Sequence, residues 1–449
     1  MPRADVVVVG AGLAGLTAAA RLAEAGVSVT LVAKGHASTH WGAGGIDVAA
    51  PEGARTPGDG VAALVAVSGH PYAVLGTDVG PAVAWLQATL AAVGLPYAGT
   101  PETPIRRVPT AIGGTRRVAI VPEAQSAALR PWEPDEVLVV AGPAGFKDFW
   151  PAAVADSLAR DAVWHGSDRP ERVMGVAVEL DGVAGRRNVN ALELANRLDD
   201  PERRAVDLER IGAAVARVAG GRPGRVALPA IVGLRHHAEA WAHARSTLPL
   251  EPFEIPLVPP SVPGIRLWQA LRARIRAGGG RIQVGEQVHR IEVTDGRVVA
   301  VELEAATRVH RIATDWLVLA TGGLAGGGLI GTVDGRLVEP LLGLPVETPP
   351  QDDWLRPEAL DPAGHPIESA GIRTDTQLHP LDADGRTLGN VFVAGALLAG
   401  QRALRERCGD GVAVASGWRA ATTILDGPPA VAEAPATVGA SSRSRRTAR

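Results

Sequence analysis

Three glycines near the start of the chain have the spacing of a phosphate-binding turn. Gly10, Gly12 and Gly15 follow an apolar run at 6–9 and precede a helical stretch that Gly26 closes. In such a turn the first glycine permits a tight strand-to-helix turn, the second lets the backbone approach a pyrophosphate, and the third lets helix and strand pack closely. The helix then presents unpaired N–H groups and the positive end of its dipole to the anion. These residues predict a dinucleotide-type site.

The residue after the second predicted strand, 27–32, departs from the pattern of a nicotinamide site. That position usually holds Asp or Glu, which accepts hydrogen bonds from the ribose hydroxyls. Lys34 stands there instead, and an ammonium group only donates hydrogen bonds. Lys34 therefore argues against NAD and is compatible with a flavin nucleotide.

Other residue types could move a proton or bind an anion. His40, in the Gly-rich loop after the second strand, is a candidate proton relay, with a surface or capping histidine as the alternative. Arg266 follows PPSVPGI and could clamp a phosphate bidentately, with a structural ion pair as the alternative. Arg116 and Arg117 follow IGGT as a candidate anion site, with a solvated basic pair as the alternative. Cys408 is either a thiol activated by a helix N-terminus or a small packing residue.

Length, charge and cysteine content limit the classes of function. A chain of 449 residues is expected to form two or three lobes. Its net charge of −3 gives no basic surface for nucleic acid or anionic lipid. One cysteine excludes an intrachain disulfide and an iron–sulfur cluster held by this chain alone, and we expect no metal site. No apolar stretch approaches the ~20 residues of a membrane span, and no signal peptide fits before the first strand, so we expect a soluble cytoplasmic protein.

Alternating predicted strands and helices place these residues in an α/β fold. The stretch 116–256 has its own alternation and is predicted to be an inserted domain. The later part of the chain predicts a helix, a β-meander with an Asp-Gly hairpin turn, a buried strand ending in ATGG, and a C-terminal strand, glycine and helix. The expected helices are 148–160, 235–245 and 265–277, and the expected strands are 137–141, 226–232, 281–284, 287–293, 298–304, 309–312, 316–323 and 391–394.

This combination of an N-terminal GxGxxG, a meander ending in ATGG and a C-terminal strand–glycine–helix resembles the fumarate-reductase-like FAD-binding family. The resemblance implies a Rossmann-like FAD/NAD(P)-binding domain, a parallel sheet plus a β-meander, formed by residues 1–115 and 257–426. The inserted α/β domain 116–256 would then be a substrate or cap domain, or a subunit-contact domain. Residues 427–449 are rich in Pro, Ala and Ser and are predicted to be a disordered tail.

A series of further motifs, from about residue 4 to 426, is similar to the B-subunit family of anaerobic glycerol-3-phosphate dehydrogenase. The most distinctive of them is LVPPSVPGIRL, at 257–267. The others, in chain order, are SxxHWGAGGID, HPY, GPAGFKDF, ALPAIVGL, EPLLGL, GIRTD and RCGDGVAVAS.

The resemblance implies a function, a cofactor and partners. The function is oxidation of sn-glycerol 3-phosphate to dihydroxyacetone phosphate, with electrons passing through a flavin and an iron–sulfur partner to a quinone. The partners are an FAD-bearing catalytic partner, the A-subunit, and a membrane-associated iron–sulfur partner, the C-subunit, which would hold this chain peripherally on the inner face of the cell membrane. The family implies FMN, whereas GxGxxG is a device for the pyrophosphate of FAD. Both flavins stay open.

The resemblance also implies where the flavin binds, and two segments depart from it. Relatives tend to have two serines and a glycine where this chain has Gly-Ala-Gly at 42–44, and they carry less charge between 402 and 407. These departures keep open the hypothesis that the chain is an assembly subunit that lost redox activity. The other alternative is a stand-alone FAD-dependent oxidoreductase. The last helix would point its N-terminus at the flavin and stabilise the anionic reduced ring. The expected flavin-binding residues are Gly10, Gly12, Gly15, Lys34, Gly44, Gly45, Thr321, Gly322, Gly395, Gly409 and Gly411.

Overall fold

The computed structural model of the chain describes residues 2–161, 169–186, 188–305 and 308–427. The predicted tail, 427–449, lies outside them except for its first residue. The strands are β1 (Arg3–Val9), β2 (Val29–Ala33), β3 (Tyr97–Ala98), β4 (Arg106–Pro109), β5 (Thr115–Val118), β6 (Val121–Pro122), β7 (Val137–Pro143), β8 (Arg172–Val178), β9 (Gly224–Pro229), β10 (Glu251–Ile255), β11 (Arg281–Val284), β12 (Gln287–Thr294), β13 (Arg297–Ala305), β14 (Arg308–Leu319), β15 (Ile330–Gly331), β16 (Leu337–Val338), β17 (Val346–Glu347), β18 (Gly371–Ile372) and β19 (Val391–Val393).

The α-helices are α1 (Leu13–Glu24), α2 (Pro57–Val65), α3 (Tyr72–Leu75), α4 (Val79–Ala91), α5 (Pro151–Arg160), α6 (Ala191–Asp199), α7 (Pro201–Ala219), α8 (His237–Thr247), α9 (Val262–Ala277), α10 (Ala403–Glu406) and α11 (Gly409–Asp426). Short 3-10 helices cover Ser38–Trp41, Gly76–Asp78, Glu123–Leu129, Gln351–Asp353, Pro366–Ser369 and Gly395–Leu397. In the described residues no helix is long and apolar enough to cross a membrane.

The larger sheet combines a parallel layer with an antiparallel meander. Its strand order is β11-β2-β1-β14-β13-β12, and β19 pairs with the end of β14. The pairs among β11, β2, β1, β14 and β19 are parallel, whereas β12, β13 and β14 form an antiparallel meander. The predicted α/β class, with a parallel sheet plus a meander, is therefore confirmed.

A second, smaller sheet has the order β10-β9-β7-β8, and all of its pairs are parallel. Its strands and helices α5 to α8 bury their apolar side chains in a core separate from that of the larger sheet. This sheet lies within the stretch that was expected to be inserted. The boundaries at 116 and 256 themselves stay a prediction.

Strand β14 differs from the sequence expectation. Two strands were predicted, 309–312 and 316–323, but one strand continues through the polar residues between them. Its first half pairs with β13 and its second half with β1 and β19. The Thr314 hydroxyl donates to Asp5 O, and Arg3 pairs with Asp315 at 2.7 Å, so these polar side chains find partners where the strand changes neighbours. The sequence analysis also missed α7, β8 and β10.

Helix α11 lies parallel to α1 in close contact with it. A side chain at Gly417 would overlap the Ala14 carbonyl, and one helical turn later Thr422 Oγ1 accepts a hydrogen bond from Arg21 Nε at 3.1 Å. The Arg21 guanidinium also lies 4.6 Å from the Trp418 ring centroid. Both helices therefore run in the same direction. Because α11 starts eight residues before Gly417, its first turn extends roughly 10 Å beyond the start of α1.

Candidate functional site

The carboxyl ends of four parallel strands meet at one edge of the larger sheet. Residues 10–15, which we call the glycine loop, follow β1, and Lys34 follows β2. Thr321 and Gly322 follow β14, and Gly395 follows β19. In open α/β sheets, ligands bind in the crevice outside these ends. We call this space the cleft.

The glycine loop forms an anion-accepting turn at the cleft. Gly10 has φ +118°, and any side chain there would overlap the Ala320 carbonyl, while one at Gly15 would overlap Gly10 O. Gly12 caps α1 without a side-chain hydrogen bond, and the first turn holds no acidic residue. The N–H of Leu16 donates to Gly12 O at 2.9 Å, so the earlier N–H groups are left for a ligand.

Lys34 and two histidines follow β2 beside the glycine loop. Lys34 and His36 are exposed, and the His36 ring lies 4.6 Å from His40 and 4.8 Å from Trp268. Trp268 Nε1 donates to Ala11 O at 3.2 Å, so these rings are fixed against the loop. Burial, with the charge of His36, lowers the pKa of His40. The role of His40 as a proton relay stays a prediction.

The distinctive segment LVPPSVPGIRL fixes the 38–48 loop in place. Ser261 Oγ donates to Gly42 O at 2.6 Å, and Pro263 Cβ lies 2.6 Å from where a side chain at Gly44 would begin. A side chain at Gly264 would come equally close to Gly42 O. Neither Gly44 nor Gly264 can therefore carry a side chain without moving this loop.

Arg266 is buried, and its guanidinium is committed to protein groups. It contacts Glu254 at 2.6 Å and donates to the carbonyl oxygens of Val232 and Gly233. These contacts are those of a structural ion pair, which the sequence analysis gave as the alternative to a phosphate clamp. The positive charge also acts on a neighbour: burial, followed by the charge of Arg266, lowers the pKa of His237 to about 4.

The two arginines of the hairpin β4–β5 take different partners. Arg117 donates to the carbonyl oxygens of Ala50, Pro51 and Ala54, so it holds that loop. Burial, followed by the charges of Arg407 and Arg107, lowers its pKa. Arg116 instead reaches the 38–48 loop, where its Nη2 lies 2.8 Å from Asp47 Oδ1. A direct role for Arg117 toward a ligand stays a prediction.

The sequence analysis did not single out the carboxylates beside Arg116. The backbone N–H of Asp47 donates to Asp410 Oδ2 at 3.0 Å, and the N–H of Gly411 donates to Asp47 O at 3.1 Å. The first turn of α11 is thereby joined to the 38–48 loop. Gly409 and Gly411, predicted to face a flavin, lie in this same turn. Two motifs carried a signal that could have found these carboxylates, because CGDG contains Asp410 and GGID contains Asp47.

Some polar atoms around the cleft lack partners within the part of the chain that the structure describes. They are Thr321 Oγ1, Gln401 Oε1 and His40 Nδ1. Gln401 is 3 % exposed, and its Nε2 donates to the carbonyl oxygens of Gly395 and Leu398. Buried polar atoms normally find a hydrogen-bond partner. Their presence beside an anion-accepting helix start fits a polar nucleotide in the cleft.

His70, Glu406 and Cys408 form a triad that the sequence analysis did not bring together; His70 and Cys408 are buried, and Glu406 is partly buried. Their ligand-type atoms lie within 4.8 Å of one another, which is close enough for one cation. However, His70 Nδ1 accepts the N–H of Tyr72 at 3.0 Å, which leaves the ring proton on Nε2, 3.3 Å from Glu406. That tautomer suits a hydrogen bond to Glu406, whereas a metal would need a free Nε2 lone pair. The triad therefore anchors the start of α11.

Comparisons with known proteins find a family and several relatives of this chain. A family described as "FAD binding domain" matches residues 5–412. A Vibrio cholerae serotype O1 protein (strain M66-2), named as the B-subunit of anaerobic glycerol-3-phosphate dehydrogenase, is 30% identical, covering 94% of this chain and 96% of its own length. A Yersinia pestis protein of the same name is 31% identical, covering 94% and 98%. A solved 3-ketosteroid delta1-dehydrogenase of Sterolibacterium denitrificans is 12% identical, covers 94% and 99%, and has a TM-score of 0.45.

The buried ion pair of Arg266 predicts a large loss of stability on truncation. Arg266→Met would leave the Glu254 carboxylate buried without its partner, so we expect the free energy of unfolding to fall by about 3–5 kcal/mol. Arg274→Met, which breaks the more exposed pair with Glu24, is the matched control and should cost less than about 1 kcal/mol. Urea unfolding measures both. Equal, small losses would contradict the assigned contacts.

The buried thiol predicts low reactivity. Burial, followed by the charge of Glu406, raises the pKa of Cys408, and the side chain is fully buried. We expect no reaction of the native chain with Ellman's reagent at pH 8 on the time scale on which the urea-denatured chain releases one equivalent. Rapid labelling of the folded chain would instead support the activated thiol.

Proposed function

The chain belongs to the FAD binding domain family and to the B-subunit family of anaerobic glycerol-3-phosphate dehydrogenase, and from this premise we propose its reaction. It carries a flavin that accepts electrons when sn-glycerol 3-phosphate is oxidised to dihydroxyacetone phosphate. The observation that carries the cofactor proposal is the uncapped start of α1 at the cleft, with free N–H groups and no acidic residue in its first turn. A flavin supplies the capacity to take up a hydride.

The residues of the chain would hold the cofactor at two helix starts. The N–H groups after Gly10 would bind phosphate oxygen, because helix N-termini carry partial positive charge. The first turn of α11, which extends beyond α1, would face the more distant part of the ligand. Gln401 and Thr321 would supply hydrogen bonds with the atoms that lack partners among the described residues. The side chains around Gly44 and Pro263 would exclude water from one side.

Two features support FMN as the first choice of flavin. Lys34 provides no hydrogen-bond acceptor for the ribose of an adenosine. The rings of His36, His40 and Trp268 pack together beside the glycine loop, to which Trp268 Nε1 donates at Ala11 O. FAD keeps the support of the matched FAD binding domain family and of the GxGxxG turn. Chromatography of the flavin released by denaturation decides between them.

The electron route requires partners. The chain has one cysteine, Cys408, which is fully buried, so a cysteine-ligated iron–sulfur cluster must come from another chain. The relatives are named as subunits, which supports a complex. We propose that the FAD-bearing A-subunit is the catalytic partner, and that the electrons pass through the flavin of this chain and the iron–sulfur C-subunit to a quinone. That assembly would hold the chain peripherally at the inner face of the cell membrane.

An assembly subunit that retains the fold without redox activity is the second candidate. The Gly-Ala-Gly sequence at 42–44 favours it, because those residues offer no hydroxyl to a flavin ring. It predicts a colourless chain that FMN and FAD do not reconstitute. The flavin proposal predicts visible absorbance with maxima in the blue.

Gly12→Asp tests the cofactor site without damaging the fold. Aspartate is a favourable N-cap, and Gly12 has ordinary extended backbone with little in contact, so stability should be kept or slightly raised. The new carboxylate should repel the flavin phosphate, and the purified variant should lose most of its flavin absorbance. Gly80→Asp places the same charge in the exposed first turn of α4 and should keep the flavin. Full flavin content in Gly12→Asp would place the phosphate elsewhere.

The reaction is tested with the complex rather than the isolated chain. The chain purified with its co-encoded partners should reduce a dye with glycerol 3-phosphate and not with glycerol. The Gly12→Asp complex should be strongly impaired, and the Gly80→Asp complex should not. A flavin-loaded complex without phosphoglycerol-dependent reduction would sink the assignment. Turnover by the chain alone would favour the stand-alone oxidoreductase.

A further inference from the structure

We propose that Lys34 and His36 form a subsite for the phosphate group of a flavin mononucleotide, and that they favour this phosphate over the pyrophosphate of FAD. Lys34 would contribute its positive charge and His36 a ring N–H donor. The inference deepens the proposed function and rests on it, because it assumes a flavin whose phosphate lies at the glycine loop. The sequence analysis expected Lys34 to contact the flavin without giving it a role, and it did not single out His36.

The backbone carries both residues along the side of the glycine loop. The Gly10 N–H donates to Val32 O at 2.8 Å, so the end of β2 lies beside the first residue of the loop, and Lys34 follows two positions later. Further along, Ala37 Cβ lies 3.8 Å from where a side chain at Gly12 would begin. The segment that contains Lys34 and His36 therefore passes the start of α1, where N–H groups are left for a ligand.

The His36 ring is packed beside the loop. Its centroid lies 4.8 Å from that of Trp268, and Trp268 Nε1 donates to Ala11 O at 3.2 Å. The His40 ring lies 4.6 Å from His36 as well. An imidazole has at least one N–H donor in either charge state. The packing therefore keeps a hydrogen-bond donor next to the glycine loop.

The positive charge in this region has no counter-charge from the protein. Within the described ranges, no ion pair or side-chain hydrogen bond reaches Lys34 or His36, and both side chains are exposed. The first turn of α1 holds no acidic residue. An ammonium group and the positive end of a helix dipole thus meet beside the cleft. Such a place favours an anion that carries more than one negative charge.

The charge of the phosphate distinguishes the two flavins. A phosphate monoester carries about −1.5 to −2 charges at pH 7 and three oxygens that accept hydrogen bonds. Each phosphate of the FAD pyrophosphate has two covalent bridges and keeps a single negative charge. A lysine and an imidazole N–H, added to the N–H groups of the helix start, therefore favour the monoester. Riboflavin, which has no phosphate, should gain nothing from these two side chains.

The first test uses the two lysines of the chain. They are Lys34 and Lys147, and Lys147 is an exposed residue that follows β7 in the smaller sheet. The flavin-free chain is acetylated with saturating FMN, with saturating riboflavin or with neither, and mass spectrometry gives the rate at each lysine. FMN should slow the acetylation of Lys34 several-fold and leave that of Lys147 unchanged, and riboflavin should protect Lys34 clearly less. Equal rates at Lys34 with and without FMN overturn the proposal.

The second test measures binding without turnover. Lys34→Met keeps the length of the side chain and removes its charge, and Lys147→Met is the matched control. The Kd of FMN, measured by quenching of flavin fluorescence, should rise about 10-fold in Lys34→Met, since exposed charge-assisted contacts lie at the low end of the scale. The Kd of riboflavin should not change, and Lys147→Met should match the wild type. Unchanged FMN affinity in Lys34→Met, or a wild type that binds FAD more tightly than FMN, contradicts the proposed selectivity.

His36→Phe separates the N–H donor from the packing. Phenylalanine keeps a ring against Trp268 but has no N–H, so FMN affinity should fall several-fold while riboflavin affinity and the urea midpoint stay the same. An equal loss for FMN and riboflavin would show that the His36 ring acts only by packing and would overturn its assignment. A wild type that binds none of the three flavins contradicts the proposed function itself. A wild type that binds FMN while Lys34 stays unprotected contradicts this inference alone.

Discussion

The buried ion pair between Arg266 and Glu254 is the contact on which the site depends. It ties the start of α9 to the smaller sheet. One residue before the α9 start, Ser261 donates to the 38–48 loop, and two residues after Arg266, Trp268 donates to the glycine loop. Val262 belongs to the core of the smaller sheet and Leu267 to that of the larger one. Since a helix is rigid over one or two turns, this single segment fixes three parts of the cleft relative to one another.

The second constraint is the close approach of α1 and α11. Gly417 allows the helices to touch, and Arg21 stacks on Trp418 beside that contact. The extra length of α11 then carries its first turn over the cleft. The start of α11 is fixed by two sets of contacts, the His70–Glu406–Cys408 triad and the hydrogen bond between the Asp47 N–H and Asp410. A helix N-terminus thus faces the cleft with an acidic residue in its first turn, which sets the electrostatics there.

Much of the fold was predictable because its signals are local. The glycine loop, the β-meander and the strand before Gly395 each depend on residues within a few positions of one another. The continuous strand β14 was missed because a strand that changes partners midway has no single pattern of burial. Helix α7 was missed although its signals are local, since Asp200 caps its start, Pro201 is its first residue and Gly220 ends it. Arg117 and Arg266 were candidates by residue type, and only their buried carbonyl and carboxylate partners show what they hold.

The sequence by itself determined the α/β class, the nucleotide-binding turn and the family, because glycine spacing and strand–helix alternation are encoded over short stretches. Tertiary structure alone decided which charges share the cleft. Asp47 and Arg116 are 69 positions apart, and Asp47 and Asp410 are 363 apart. No periodicity reports such pairs, since their proximity follows from the packing of α11 on α1 and of α9 between two cores. The physical reason is that a carboxylate's environment is set by neighbours in space, which the chain order does not reveal.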